Sequence, residues 1–278
     1  MLVIVEVKKG EVMTIAIIQT QIFDFEIEKN LANLTNICNT ITESVDWIVF
    51  PEMFLTGFVT DTSLCEKSKK KGLDFMFSLA HKHRCAVEGS LLVEDNGLYY
   101  NRHYFITEDK QYYYDKQKLF SLSDEAKVLT RGEGSTIVEY GGWKINLKTC
   151  YDLRFADICK NTATPNKVQT IEDETKSQQY DFLYDILTFV ASWPKSRSEQ
   201  WKTLLKARAI ENQCYVVAVN RQGTDFANTL YSGDSCVIDM KGNQIDKLPN
   251  STDNVFYYSI NKETLDHGRN KFPVYKDW

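Results

Sequence analysis

Three short stretches carry residues able to do acid–base and nucleophilic chemistry. In N-L-K-T-C-Y-D-L-R-F (Asn146 to Phe155) a strand-like run leads straight into Cys150, and a charged, aromatic run follows. A cysteine just past a strand is exposed at the sheet's edge, and the next N–H, that of Tyr151, can point at a bound carbonyl oxygen. Its thiol becomes a nucleophile if a neighbouring base takes the proton. A lone cysteine is also open to other readings: core thiol, disulfide partner or metal ligand. In I-V-F-P-E-M-F-L, Glu52 follows an apolar strand and one proline, where ligands sit in open α/β sheets. Phe50, Met53, Phe54 and Leu55 would desolvate it, and a desolvated carboxyl suits a general base working near neutrality. In Y-Y-Y-D-K-Q-K-L-F, Lys116 and Lys118 share a parity, so an extended segment places them on one side. An ammonium there would keep a site carboxylate ionised and stabilise a developing oxyanion. Taken singly, each stretch also has a plain reading: a surface glutamate, solubilising lysines, a buried thiol.

Composition narrows the setting. The chain has 278 residues, within reach of one large α/β domain, and 43% of them are hydrophobic, enough for a sizeable core. Its net charge of −5 argues against a general nucleic-acid binder, and Lys67 to Lys71 reads as a solvated helix face. No apolar run is long enough to span a bilayer, and the opening M-L-V-I-V-E-V-K-K-G-E-V lacks the features of a signal peptide. It reads as a short extra strand or an upstream start ahead of Met13. Seven cysteines in irregular spacing, with no C-x-x-C, fit reduced thiols in a cytoplasm. H-K-H-R-C (His81 to Cys85) has no second cluster to complete a tetrahedral metal site, so no metal is expected.

The elements that must position these groups alternate between strand-like and helical patterns. Strands are expected at 14–18, 46–50, 85–92, 99–106, 144–148, 186–190 and 214–219, and helices at 27–41, 63–81 and 198–212. Asp95-Asn96-Gly97 signals a hairpin, and residues 235–239 and 255–260 read as a last strand pair around Lys241-Gly242-Asn243. This mixture predicts α/β layers with a mixed sheet. Asn161 to Gln179 is polar and aperiodic, the composition of a long exposed loop.

Strand-Pro-Glu, Tyr-x-Lys and strand-Cys-Tyr-Asp-x-Arg in this order resemble the nitrilase, or carbon–nitrogen hydrolase, superfamily. The stretches Gly89 to Arg102, Ala191 to Trp201, Lys206 to Val216 and Asn270 to Tyr275 are similar to it as well, most of all to its ω-amidase branch. The resemblance runs from Met13 to the C-terminus. It implies a four-layer α-β-β-α sandwich, a single domain over residues 1–278 with an extension at 1–12 and an insertion at 161–183, and a homodimer. It assigns Glu52 as general base, Lys116 as the catalytic lysine, Cys150 as nucleophile and Glu125 as a second carboxylate orienting Lys116, with no cofactor. Two positions depart from the pattern: Lys118 stands where the family has histidine, and Ala156 where it has proline.

The implied reaction is hydrolysis of the ω-amide of a 2-oxo dicarboxylic acid monoamide through a cysteinyl thioester, with the oxyanion on Lys116 and the Tyr151 N–H. A substrate carboxylate would need a cation, for which Arg197 and Lys118 are candidates, with Trp193 as an apolar wall. Arg154 is expected to anchor the cysteine turn in an ion pair. A deaminated-glutathione amidase, a nitrilase, and a catalytically silent scaffold that binds through the insertion are the alternatives. The insertion itself reads as a surface loop, or as a cap on the pocket.

Overall fold

In a computed structural model, residues 11–165 and 180–278 are described. The chain opens with β1 (Val12–Ile18), α1 (Ile27–Cys38), β2 (Trp47–Val49), α2 (Cys65–His83), β3 (Ala86–Asp95), β4 (Leu98–Ile106) and β5 (Gln111–Asp115). It continues through a one-turn helix α3 (Glu125–Val128), β6 (Ile137–Tyr140), β7 (Trp143–Thr149), β8 (Ala163–Pro165), β9 (Tyr180–Phe182) and β10 (Ile186–Ala191). Last come α4 (Ser198–Asn212), β11 (Tyr215–Asn220), β12 (Gln222–Thr224), β13 (Leu230–Ser232), β14 (Cys236–Ile238), β15 (Val255–Asn261) and α5 (Lys262–Lys271).

Two sheets form the centre. One has the order β15-β1-β2-β3-β4-β5, the other β14-β11-β10-β7-β6. Each has a parallel core, β1-β2-β3 and β7-β10-β11, flanked by antiparallel strands. Alternation along the strands builds the layers. Ala16, Ile18, Ile48, Val87 and Leu91 face α1 and α2, whereas Ile15, Ile17, Trp47, Val49 and Ala86 meet Ile145, Leu147, Val217 and Val219 between the sheets. Leu187, Phe189, Val216 and Ala218 pack under Trp201, Leu205 and Ala209 of α4. The result is the four-layer α-β-β-α sandwich.

The expected strands and helices form close to their expected places, with one correction of topology. Residues 235–239 and 255–260 do not pair with each other. Cys236–Ile238 joins β11, and Val255–Asn261 crosses to the other sheet and pairs with β1. The Lys241–Asn243 turn does form, with Gly242 at φ +84, but it returns only as far as Gln244, which bridges Ile238, and Ile245, whose N–H donates to the Val237 carbonyl at 2.8 Å. The long apolar face of β15 is buried better against β1 at the sheet's edge than on the short β14. Residues 1–10 of the expected extension and 166–179 of the expected insertion lie outside the described residues; Val12 already pairs with Asn261 in β1. Beside the expected insertion, β8 pairs with β9 and stands on the C-terminal segment, with Phe182 edge-on to Tyr275. Among the described residues, no helix is long and apolar enough to cross a membrane. All seven cysteines are buried and unpaired.

Candidate active site

The functional side chains come from strand ends of both sheets. β2 ends at Val49, and the chain turns through Pro51 so that Glu52 points into the space between the sheets, fully buried. Met53 takes a left-handed φ of +47 to make this turn, and its N–H is held by Ser90 Oγ at 2.8 Å. β5 ends at Asp115, whose carboxylate grips Arg102 of β4 on the outer side at 2.7 and 3.0 Å. Alternation then sends Lys116 inward, where it is 1% exposed. Lys116 Nζ donates to Glu52 Oε1 at 2.9 Å and to both oxygens of Glu125 at 2.8 and 3.0 Å. Glu125, at the start of α3, also accepts the Phe120 N–H at 2.6 Å.

Cys150 follows β7 and opens a 3-10 turn, with a φ of +43. For a residue with a Cβ this left-handed conformation is strained and has to be held. The holder is a capping box: Thr149 Oγ1 bonds the Asp152 N–H, and Asp152 Oδ2 accepts the Thr149 N–H at 2.9 Å. Asp152 also accepts the Tyr114 hydroxyl at 2.9 Å and the Lys118 N–H at 2.9 Å, tying the turn to the lysine loop. Beneath the turn, His103 Nε2 lies 2.7 Å from Glu88 Oε1, and its Nδ1 3.4 Å from Thr149 Oγ1, all buried.

Electrostatics divide the site by protonation state. Burial works against the Lys116 charge, but Glu125 and Glu52 outweigh it and hold the ammonium above the usual lysine range. Burial, and then the Glu52 charge, push the Cys150 thiol well above its ordinary value, against the pull of Lys116 and the Ser192 N–H. Burial likewise raises Glu125, partly offset by Lys116. The thiol therefore rests protonated and needs a base, and a carboxylate stands beside it.

A cavity of about 250 Å³ opens on these groups. Cys150, Lys116 and Ser192 form its inner end, and Tyr151, Trp193, Phe58, Phe120 and Tyr231 supply walls. The Trp193 loop is clamped by Asn220, which accepts the Trp193 N–H at 2.7 Å and returns an N–H to its carbonyl at 3.0 Å. Trp193 Nε1 donates to the Arg197 carbonyl at 2.8 Å, which ties the wall to the backbone of the arginine. Arg197 and Arg154 both line the cavity, the first 5.6 Å over the Phe120 ring, the second 4.8 Å over Trp193. Neither pairs with a carboxylate among the described residues.

Lys116, Cys150, Tyr151, Trp193 and Arg197 thus line one cavity, and Glu52 and Glu125 lie buried behind it, bonded to Lys116. Two expectations are corrected. Lys118 does not share a face with Lys116, because the strand stops at Asp115 and the Asp152 bond turns the backbone; its amine lies 4.7 Å over Phe155 and 3.8 Å from Asp157. Arg154 does not anchor the turn in an ion pair; it donates to Gln200 and stacks on Trp193, on the cavity wall. Four residues were not anticipated: Asn101, which donates to Glu52 Oε1 at 2.7 Å, Ser192, Asn220, and Asp225, a cavity-lining carboxylate that accepts the Tyr231 hydroxyl at 2.9 Å. The Asp152 clamp is spelled in the sequence, since T-C-Y-D has capping-box spacing, but the others come from strands and loops distant in sequence. Among the described residues, no group of three or more His, Cys, Asp or Glu side chains is placed to hold a metal.

Comparison with known proteins identifies relatives of this chain. The carbon-nitrogen hydrolase family model matches residues 14–270. The omega-amidase YafV of Escherichia coli (strain K12) is 32% identical over 233 residues, covering 84% of each chain. The 2-oxoglutaramate amidase of Bacillus subtilis is 30% identical over 234 residues, 82% of this chain and 83% of that one. Among solved structures, XC1258 of Xanthomonas campestris, a CN-hydrolase superfamily protein with an arsenic adduct in its active site, superposes with a TM-score of 0.84. It is 31% identical, covering 96% of this chain and 97% of that one. Nit3 of Saccharomyces cerevisiae, of the nitrilase superfamily, shares the fold at a TM-score of 0.75 and 19% identity, over 95% of each chain. The chain belongs to the carbon–nitrogen hydrolase family, and is a hydrolase of carbon–nitrogen bonds other than peptide bonds.

Proposed function

We propose that this hydrolase is an ω-amidase, cleaving the terminal amide of a 2-oxo dicarboxylic acid monoamide such as 2-oxoglutaramate to acid and ammonia. The observation that carries the reading is a buried Cys150 thiol lining a small cavity next to Lys116, whose ammonium holds the Glu52 carboxylate at 2.9 Å, with two guanidiniums further along the wall. Glu52 takes the proton from Cys150 as the sulfur attacks the amide carbon. The oxyanion forms against the Lys116 ammonium and the Tyr151 N–H, which lies in the first turn after Cys150, where helical N–H groups have no partner within the turn. Glu52 returns the proton to the leaving nitrogen, the C–N bond breaks, and ammonia departs. Water then gives a proton to Glu52 and attacks the thioester; the C–S bond breaks and the thiol is protonated again.

The substrate's free carboxylate fits Arg197 and Arg154, which are held by ring stacking and keep donors free for a planar anion. The names of the two amidases at 30–32% identity support the same substrate class. Ammonia release from 2-oxoglutaramate, with intact-mass detection of a Cys150 acyl adduct, tests the reading. Release by the wild type with none by Cys150→Ala is expected. Equal release by both would remove the thioester mechanism, and no release by the wild type would remove this substrate.

A further inference from the structure

Asn101, on β4, is fully buried at the back of the site and belongs to none of the roles above. Its Nδ2 donates to Glu52 Oε1 at 2.7 Å and to Glu125 Oε1 at 3.2 Å, so one amide group bridges both carboxylates. Its backbone carbonyl accepts the Lys116 N–H at 3.1 Å. Carboxylates only accept, so the nitrogen must face them. This orientation leaves Oδ1 buried without a partner, a desolvation cost that the fold tolerates to keep the two donors in place.

Counting acceptor sites shows what those donors do. A carboxylate offers about four lone-pair directions. On Glu125, Oε1 accepts Lys116 and Asn101, and Oε2 accepts Lys116 and the Phe120 N–H, so both oxygens are filled. On Glu52, Oε1 accepts Lys116 and Asn101, while Oε2 accepts only the Ser192 N–H at 2.8 Å. Among the described residues, one acceptor direction is left on the two carboxylates, on Glu52 Oε2.

We infer that Asn101 is the positioning residue that routes the proton: by filling Glu125 and Oε1 of Glu52, it leaves Oε2 of Glu52 as the atom that takes the Cys150 proton. The inference rests on the reading of Glu52 as the base. It also accounts for why one of two buried carboxylates on the same lysine serves as base and the other does not. Asn101 donates to the ionised form of Glu52, so its loss raises the proton affinity of that carboxylate. The acid limb of any Glu52-dependent step then moves to higher pH.

The test is the pH dependence of Cys150 alkylation by iodoacetamide, followed on the Cys150 peptide by mass spectrometry. It needs no amide substrate, so it stands whether or not 2-oxoglutaramate is turned over. In Asn101→Leu the acid limb should rise by about one pH unit, the tenfold change expected for loss of a charge-assisted hydrogen bond. If Asn101→Leu does not fold, Asn101→Ser, too short to bridge both carboxylates, carries the same expectation. A slower reaction with an unmoved limb would reduce Asn101 to a packing residue and overturn the inference. Glu52→Gln separates the two ideas. It should move the limb up to that of the unassisted Cys150 thiol; a limb still at the wild-type position in Glu52→Gln would remove the base assignment and the routing with it.

Discussion

The inner end of the cavity and its outer wall handle charge in opposite ways. At the inner end, Lys116, Glu52, Glu125 and Asn101 are all buried and bonded to one another, so their geometry is set before any substrate arrives. On the wall, Arg154 and Arg197 lie against aromatic rings and meet no carboxylate among the described residues. Buried charges are costly unless paired, so the fold must complete the first set; guanidiniums on rings are stable while still able to donate. The contrast separates chemistry, prepaid in the fold, from recognition, left for the substrate to complete.

The comparison can be broken at several points. Lys116→Met should do the most damage, lowering kcat by about a thousandfold or more. It should also destabilise the fold by about 3–5 kcal/mol, because two carboxylates lose their buried counter-charge; urea unfolding and ammonia release read the two losses separately. A variant that is inactive but fully stable would mean that the inner charges are not coupled as described. Next comes Glu125→Gln, which keeps the shape but loses one charged acceptor for Lys116. A fall in kcat of about a hundredfold with little change in KM is expected, whereas a change in KM alone would place Glu125 in substrate binding.

Mutations on the wall should act on binding instead. Arg197→Leu and Arg154→Leu should each raise KM for 2-oxoglutaramate about ten- to a hundredfold with kcat nearly kept, and should leave a monoamide lacking the carboxylate unaffected. Equal losses on both amides would assign these arginines to structure. Lys118→His should alter kcat/KM less than about twofold, since the Lys118 amine lies over Phe155 rather than in the cavity. Smallest of all is the expected response to alkali. Glu125 and Glu52, against the effect of burial, hold Lys116 protonated above the usual lysine range, and burial holds the thiol up as well. A raised ammonium keeps its charge to higher pH, so kcat/KM should stay flat to about pH 10, and a falling limb near pH 8–9 would contradict the charge balance drawn here.

Much of the site was legible because its key residues sit in short local patterns. P-E-M after an apolar run, Y-D-K after an aromatic one, and T-C-Y-D each write a strand end and a turn into neighbouring positions. The parity argument failed at Lys118 because alternation holds only while the strand lasts, and β5 stops at Asp115. Arg154 was misplaced for a related reason: its sequence neighbours say nothing of Trp193 and Gln200, which arrive from another loop and from α4.

The sequence by itself determined the layers and the chemical inventory: alternating apolar runs specify the strands, helical spacing specifies the covering helices, and a glutamate, a lysine and a cysteine stand at strand ends. Only the tertiary structure decided how those groups share hydrogen bonds and which cations line the cavity. Asn101 lies 49 residues from Glu52, and the Ser192 N–H lies 140 residues from the same carboxylate. Local patterns act over a few residues, whereas hydrogen bonds between strands of different sheets depend on register and on how the two sheets pack face to face.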